Sequence, residues 1–321
     1  MYYDRRVPPA FLDLLLPGAA LGWLVPWLTT PAAARAGAHV QTRRDRGGRR
    51  HGGIQLYLGR TSPLEVRARP GGRFQLHADP FYRAMAPALF ATDFDVAALA
   101  RAADALRAHA EDAATRTHRS FLDGEAVVHA GLMRHYGPLA PADAPFVALD
   151  SEARVGFDCQ ADQDAYEAAL PALVGLPAHE ALPRKLDLVG LARDGRVLLV
   201  EVKADPTGLA RAAWQAAVHV ARLRSLLEGH PTWITAVLGD LAREKARVGL
   251  LGRATVGPFT PTAALTPVIA APDPRPDWAP AWRRELAPVL GASRGALTGL
   301  RLWRLTPEGR VAEDVAGEAP G

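Results

Sequence analysis

Lys185-Leu186-Asp187-Leu188-Val189-Gly190-Leu191-Ala192-Arg193-Asp194-Gly195-Arg196-Val197-Leu198-Leu199-Val200-Glu201-Val202-Lys203 sets two apolar runs on either side of a single turn. Leu186 to Ala192 and Arg196 to Ala204 read as strands, with Arg193-Asp194-Gly195 between them. Alternation along the second strand puts Glu201 and Lys203 on one face. A two-residue Asp194-Gly195 turn would set Asp187 opposite Val202. A three-residue loop, a type I turn closed by a left-handed Gly195, instead pairs Ala192 with Arg196 and Asp187 with Glu201. The second register is the expectation, and it gathers two carboxylates and one ammonium on one sheet face. Burying two such like charges unpaired costs several kcal/mol, a conflict that a divalent cation resolves. Mg²⁺ takes oxygen ligands, commonly one or two carboxylates with waters and substrate phosphates. A neighbouring lysine can then stabilise developing negative charge or orient a water. In physical terms this is an arrangement for phosphodiester hydrolysis.

Outward from this hairpin, Ser120 to Tyr136 has helical apolar spacing through Val127, Val128, Leu132 and Met133, and Gly137-Pro138 ends it. Phe146 to Phe157 reads as a strand and Asp162 to Leu173 as a short inserted helix. Pro206 opens a long helix to about Leu227, and Thr232 to Leu238 reads as a further strand. The order is α-β-β-β-α-β.

With Asp187 and Glu201-Val202-Lys203 as the motif matches, the region from about Ser120 to Leu238 resembles the PD-(D/E)XK nuclease superfamily, of RecB-like or restriction-endonuclease-like fold. The likeness covers about 120 of 321 residues. It implies an α/β fold with a mixed sheet flanked by helices. It also implies a Mg²⁺- or Mn²⁺-dependent hydrolase that cuts nucleic acid, with DNA as the substrate class. Asp187 and Glu201 would hold the metal, together with Glu125 from the first core helix; Glu152 and Glu167 are the other candidates for that third carboxylate. Lys203 would position or activate the nucleophile, and Gln215 would orient Lys203 or the backbone. The family's tyrosine four residues beyond this glutamine is His219 here, which reads as a helix-surface histidine. Leu186 precedes Asp187 where the family has proline, with Pro183 slightly upstream. Arg184, Arg211 and Arg222 are candidate phosphate contacts. The alternative is a non-catalytic nucleic-acid-binding or assembly module on the same fold.

The flanks divide into an apolar segment over 1–38, a basic linker with a β/α region over 39–115, the core over 116–240 and a C-terminal extension over 241–321. Arg43, Arg44, Arg49 and Arg50 lie in an Arg/Gly run that reads as a solvated linker or a phosphate contact. Ile54 to Leu76 alternates like strands, Asp93 to Ala114 reads as a helix, Leu297 to Leu305 as a closing strand and Glu308 to Gly321 as a polar tail. His129, His135, Trp214, Trp233 and Trp303 read as structural. Phe11 to Leu28 is apolar behind Arg5 and Arg6, the outline of a signal peptide, but Asp13, Pro17-Gly18 and Pro26 interrupt it. A buried segment is expected, with no membrane span. A single cysteine, Cys159, excludes a disulfide framework and fits a reducing, cytoplasmic setting. The formal charge of +4 permits a nucleic-acid partner without requiring one. No phosphate-cradling P-loop, dinucleotide glycine motif or Ser-His-Asp arrangement is visible.

Overall fold

Apolar residues alternate through 54–76 because one face of a sheet is buried, and the hairpins that follow from this organise the first of two units. The computed structural model describes residues 1–44, 52–117, 122, 124–175, 182–254, 257, 259–293 and 295–317. The first unit comprises Arg5–Ala144 and Asp240–Val256. It opens with short helices α1 (Pro9–Leu12), α2 (Leu24–Leu28) and α3 (Pro31–Arg35). An antiparallel meander follows, in the order β1 (Ala38–Arg44), β2 (Gly52–Leu58), β3 (Thr61–Arg69), β4 (Arg73–His77) and β5 (Asp93–Phe94). Helix α4 (Pro80–Met85) joins the last two strands, and α5 (Val96–Arg101), α6 (Ala103–Arg116) and α7 (Gly124–His135) complete the unit. The expected helix from Asp93 starts only at Val96, because the Asp95 side chain accepts the Ala98 N–H at 2.6 Å and caps it there.

The apolar N-terminal stretch lies in the core of this unit. Phe11, Leu15, Leu21, Leu24 and Leu28 are buried with Ile54, Leu56, Leu64, Val66 and Leu76 of the sheet and Leu99 and Leu106 of the helices. Pro17-Gly18 and Pro26 keep it in short pieces, as their backbone restrictions require. Among the described residues no helix is long and apolar enough to cross a membrane.

The second unit comprises Met1–Asp4, Pro145–Gly239 and Gly257–Gly321. Its elements are β6 (Phe146–Ala153), α8 (Gln160–Val174), β7 (Leu186–Ala192), β8 (Val197–Val202), α9 (Leu209–Gly229), the part of α10 (Pro231–Arg247) up to Gly239, β9 (Leu265–Pro272), α11 (Trp278–Ala292), β10 (Arg301–Leu305) and β11 (Val311–Ala316). The sheet runs β6-β7-β8-β9-β10-β11. Pairs β6/β7, β7/β8 and β10/β11 are antiparallel, while β8/β9 and β9/β10 are parallel. The chain is thus of the α/β class with one mixed and one antiparallel sheet. Alanines 212, 213, 216 and 217 of α9 are fully buried and let the helix lie close against Ile269, Leu302, Trp282 and Leu286.

Four sequence expectations are corrected here. Thr232 to Leu238 is not a strand but the start of α10, and the strand parallel to β8 is β9. Pro231 suits a first helical turn, and Ile234, Val237, Leu238 and Leu241 are buried at spacings of three and four. The C-terminal third is no extension, since β9, β10 and β11 supply half of the six-stranded sheet. The polar tail contains β11, held to β10 by pairs such as Arg301 Nε to Asp314 at 2.8 Å. The two units are also cut differently from the four expected segments: α7, expected as the first core helix, belongs to the first unit.

Candidate active site

The β7–β8 hairpin closes through three residues. Gly195 N–H donates to Ala192 O and Ala192 N–H to Arg196 O, each at 2.9 Å. Gly195 has φ +86°, the left-handed conformation the loop demands. Leu188 then stands opposite Val200, and one step on Asp187 falls opposite Glu201. The expected register is the one observed. Beyond Glu201 the strand is tied on its other side, where Lys203 N–H donates to Ala270 O at 2.9 Å.

Asp187 is partly buried, and its Oδ2 accepts the Val202 N–H at 2.8 Å. Glu201 is only 1% exposed; its Oε2 lies 3.8 Å from Lys203 Nζ and its Oε1 3.5 Å from His219 Nε2. The apolar run Val197–Val200 buries this strand end, so the carboxylate sits in surroundings that strengthen any cation's hold on it.

Helix α9 lies over the same strand and brings Gln215 and His219, four residues apart, to one side. His219 is not a surface residue as expected: it is buried. Burial first, and the positive charge of Arg222 second, lower its pKa to about 3, so the ring is neutral. The Gln215 carbonyl oxygen is buried with no hydrogen-bond partner among the described residues, leaving an acceptor available to a water or an ammonium.

The register adds one more carboxylate to the row. Ser151 pairs with Leu188 and Ala153 with Leu186, which brackets Glu152 opposite Asp187. Glu152 accepts from Lys185 Nζ at 2.9 Å and has φ +49°, the one positive value at a non-glycine residue among the described residues. Such backbone strain concentrates at functional positions. Of the candidates for a third carboxylate, Glu152 therefore shares the row with Asp187 and Glu201. Glu167 lies on α8 and faces Arg222 at 3.5 Å. Glu125 lies on α7 in the first unit, where it accepts from Arg60 at 3.1 Å.

The arginine candidates separate by burial. Arg184 and Arg211 are exposed, as a phosphate contact requires. Arg222 is buried, donates to the Pro183 carbonyl and faces Glu167, so it is a structural cation rather than a phosphate contact. Arg43 and Arg44 end β1, and their side chains lie outside the described residues, as do Arg49 and Arg50. Trp303 is core, stacked on Phe146 at 4.7 Å, and His129 meets His39 edge-on at 5.3 Å.

Asp187 and Glu201 offer oxygens of the kind Mg²⁺ and Mn²⁺ prefer, and two carboxylates suffice where waters and substrate phosphate complete the shell. Among the described residues no group of three or more His, Cys, Asp or Glu side chains is arranged to hold a metal by itself. The residues fit a cation shared with substrate, not one caged by protein. Comparison with protein-family models, with curated proteins and with solved structures gives no match to this chain.

Proposed function

We propose that the second unit is a metal-dependent nuclease of restriction-endonuclease-like fold, hydrolysing nucleic-acid phosphodiester bonds with DNA as the substrate class. The observation that carries this reading is the pairing of Asp187 with Glu201, with Lys203 two residues on along the same strand face. Asp187 and Glu201 would hold Mg²⁺ or Mn²⁺, and Glu152 lies next in the row. When bound, the ion offsets phosphate charge and acidifies a coordinated water. Lys203 Nζ, only partly exposed, positions the attacking water and stabilises charge that develops on the phosphoryl oxygens. Gln215 supplies an acceptor that orients the water or the lysine. Neutral His219 backs Glu201 from the helix without adding a competing positive charge.

The test is cleavage of labelled single-stranded, double-stranded and branched DNA and of RNA, with Mg²⁺, Mn²⁺ or EDTA, beside a folded Lys203→Ala variant. Metal-dependent cleavage that falls by about 100-fold or more in the variant is expected, the size of effect seen when one charge-stabilising donor is lost. No cleavage by the wild-type chain on any substrate would overturn the reading. The absence of a three-ligand metal group among the described residues favours a second reading, a nucleic-acid-binding module without catalysis. It predicts salt-dependent binding that survives loss of Lys203.

A further inference from the structure

The outer face of the first unit's sheet carries a basic stripe that the reading above does not use. One face of the meander is core: Val66 pairs with Leu76 and Ala68 with Phe74, all turned inward. The alternate positions form the other face, where Glu65 pairs with His77, Arg67 with Gln75 and Arg69 with Arg73. Towards β1 this face is covered, with His39, Gln41 and Tyr57 all buried. Along β3 and β4 it is open, and Arg69 and Arg73 are exposed.

Arg69 and Arg73 stand directly opposite each other across the Pro70-Gly71-Gly72 turn, an arrangement that costs stability because like charges face across the ladder. Neither has an acidic partner among the described residues. Arg69 donates instead to the Gln75 carbonyl, whose oxygen also lies 2.9 Å from His77 Nε2. The acids nearby are Glu65, which accepts from Arg67 at 2.7 Å, and Asp93, opposite Gln75 at the sheet edge. Arg83, exposed on α4, adds a further cation. His77 lies within the stripe: burial first, then the charges of Arg67, Arg83 and Arg69, lower its pKa against the opposing charge of Glu65.

We propose that this stripe binds the sugar-phosphate backbone of a nucleic acid, with Arg69 and Arg73 as the principal phosphate contacts and Arg67 behind them. The proposal rests on the nuclease reading only in taking nucleic acid as the partner. Arg67 and Arg69 alternate along β3, about 6.8 Å apart, and Arg73 faces Arg69 from β4, so the three cations cluster at this end of the hairpin. Arginine suits this role through its fixed fork of donors.

The test is fluorescence anisotropy of a short labelled single-stranded DNA with the full chain in EDTA, across a salt titration. The Arg69→Gln/Arg73→Gln double variant is expected to bind about tenfold more weakly, with a log–log salt slope lower by about 1.4, two phosphate contacts' worth for a single strand. A matched charge loss elsewhere, Arg107→Gln/Arg116→Gln on ion-paired α6 positions, is expected to change affinity less than about twofold. Equal effects of the two double variants, or no binding by the wild-type chain, would overturn the proposal. Displacement of the DNA by poly-glutamate at equal charge concentration would overturn the assignment to nucleic acid. Binding that depends on the stripe, without cleavage under any metal, supports the stripe while the hydrolytic reading fails.

Discussion

Asp187 Oδ2 accepts the backbone N–H of Val202 at 2.8 Å, so the carboxylate of one hairpin strand is fastened to the strand that bears the other. The bond lies between the positions of Glu201 and Lys203 and fixes the spacing of all three groups. One of the two Asp187 oxygens thus holds structure.

This structural role separates two substitutions. Asp187→Asn keeps an acceptor for Val202 N–H and removes the charge, so metal-dependent cleavage falls by about 100-fold or more while unfolding in urea changes by less than about 0.5 kcal/mol. Asp187→Ala strands a buried donor as well and costs about 1–2 kcal/mol in the same measurement. Full activity in Asp187→Asn would remove Asp187 from the site.

Glu201 is a carboxylate held out of water, with Lys203 at 3.8 Å and a neutral His219 at 3.5 Å. A buried charge with a distant cation is poor value for stability. Glu201→Gln preserves shape and removes the desolvation cost, so the unfolding free energy stays level or rises by up to about 1 kcal/mol while cleavage is lost. A loss of more than about 2 kcal/mol in urea titration would show that the ion pair is structural.

The hairpin was legible because its geometry is local. Gly195 dictated the loop, the loop dictated the register, and the register placed Asp187 opposite Glu201. The parallel strand was not legible for the opposite reason. Thr232-Trp233-Ile234-Thr235 has strong β propensity, but tertiary burial of Ile234, Val237 and Leu238 along a helical face overrides it. Leu265 to Pro272, the true strand, carries Pro267 within it, which weakens its strand signal. His219 was misplaced because the sequence shows its spacing from Gln215 but not which side of α9 meets the sheet. Glu125 was chosen by its place on a helix that folds with the other unit. The row position of Glu152 follows only from a bulge between Ala148 and Asp150, which shifts the β6–β7 register.

The hairpin loop itself makes a stability prediction. Gly195 has φ +86°, and a Cβ there would stand 2.3 Å from the Thr260 carbonyl oxygen, a backbone atom that cannot swing aside. Gly195→Ala is expected to cost at least about 2 kcal/mol, the left-handed penalty plus the clash. Because the loop sets the register, cleavage falls with it. Urea titration of the variant checks this, and a change under about 0.5 kcal/mol would mean that the loop conformation is not the one described.

In the first unit the pH response is set by a buried histidine. His109 on α6 is buried, and its Nε2 lies 3.0 Å from the Pro63 carbonyl oxygen. Burial lowers its pKa below 6.5, only partly opposed by the bond to Pro63 and the charge of Asp112. The unfolded chain therefore binds the proton more readily than the folded one, and stability is fully present above pH about 6.5 and lost as pH falls through the folded value. Each such group contributes at most about 1.4 kcal/mol per pH unit. The urea midpoint is expected to fall between pH 7.5 and 5.5, the range of about one unit either side of the free imidazole value. His109→Gln keeps a donor for Pro63 without the titration and flattens the slope, leaving a remainder from His77 and His219, whose pKa values are lowered in the same direction. An unchanged slope in His109→Gln would show that its ring does not stay neutral in the fold.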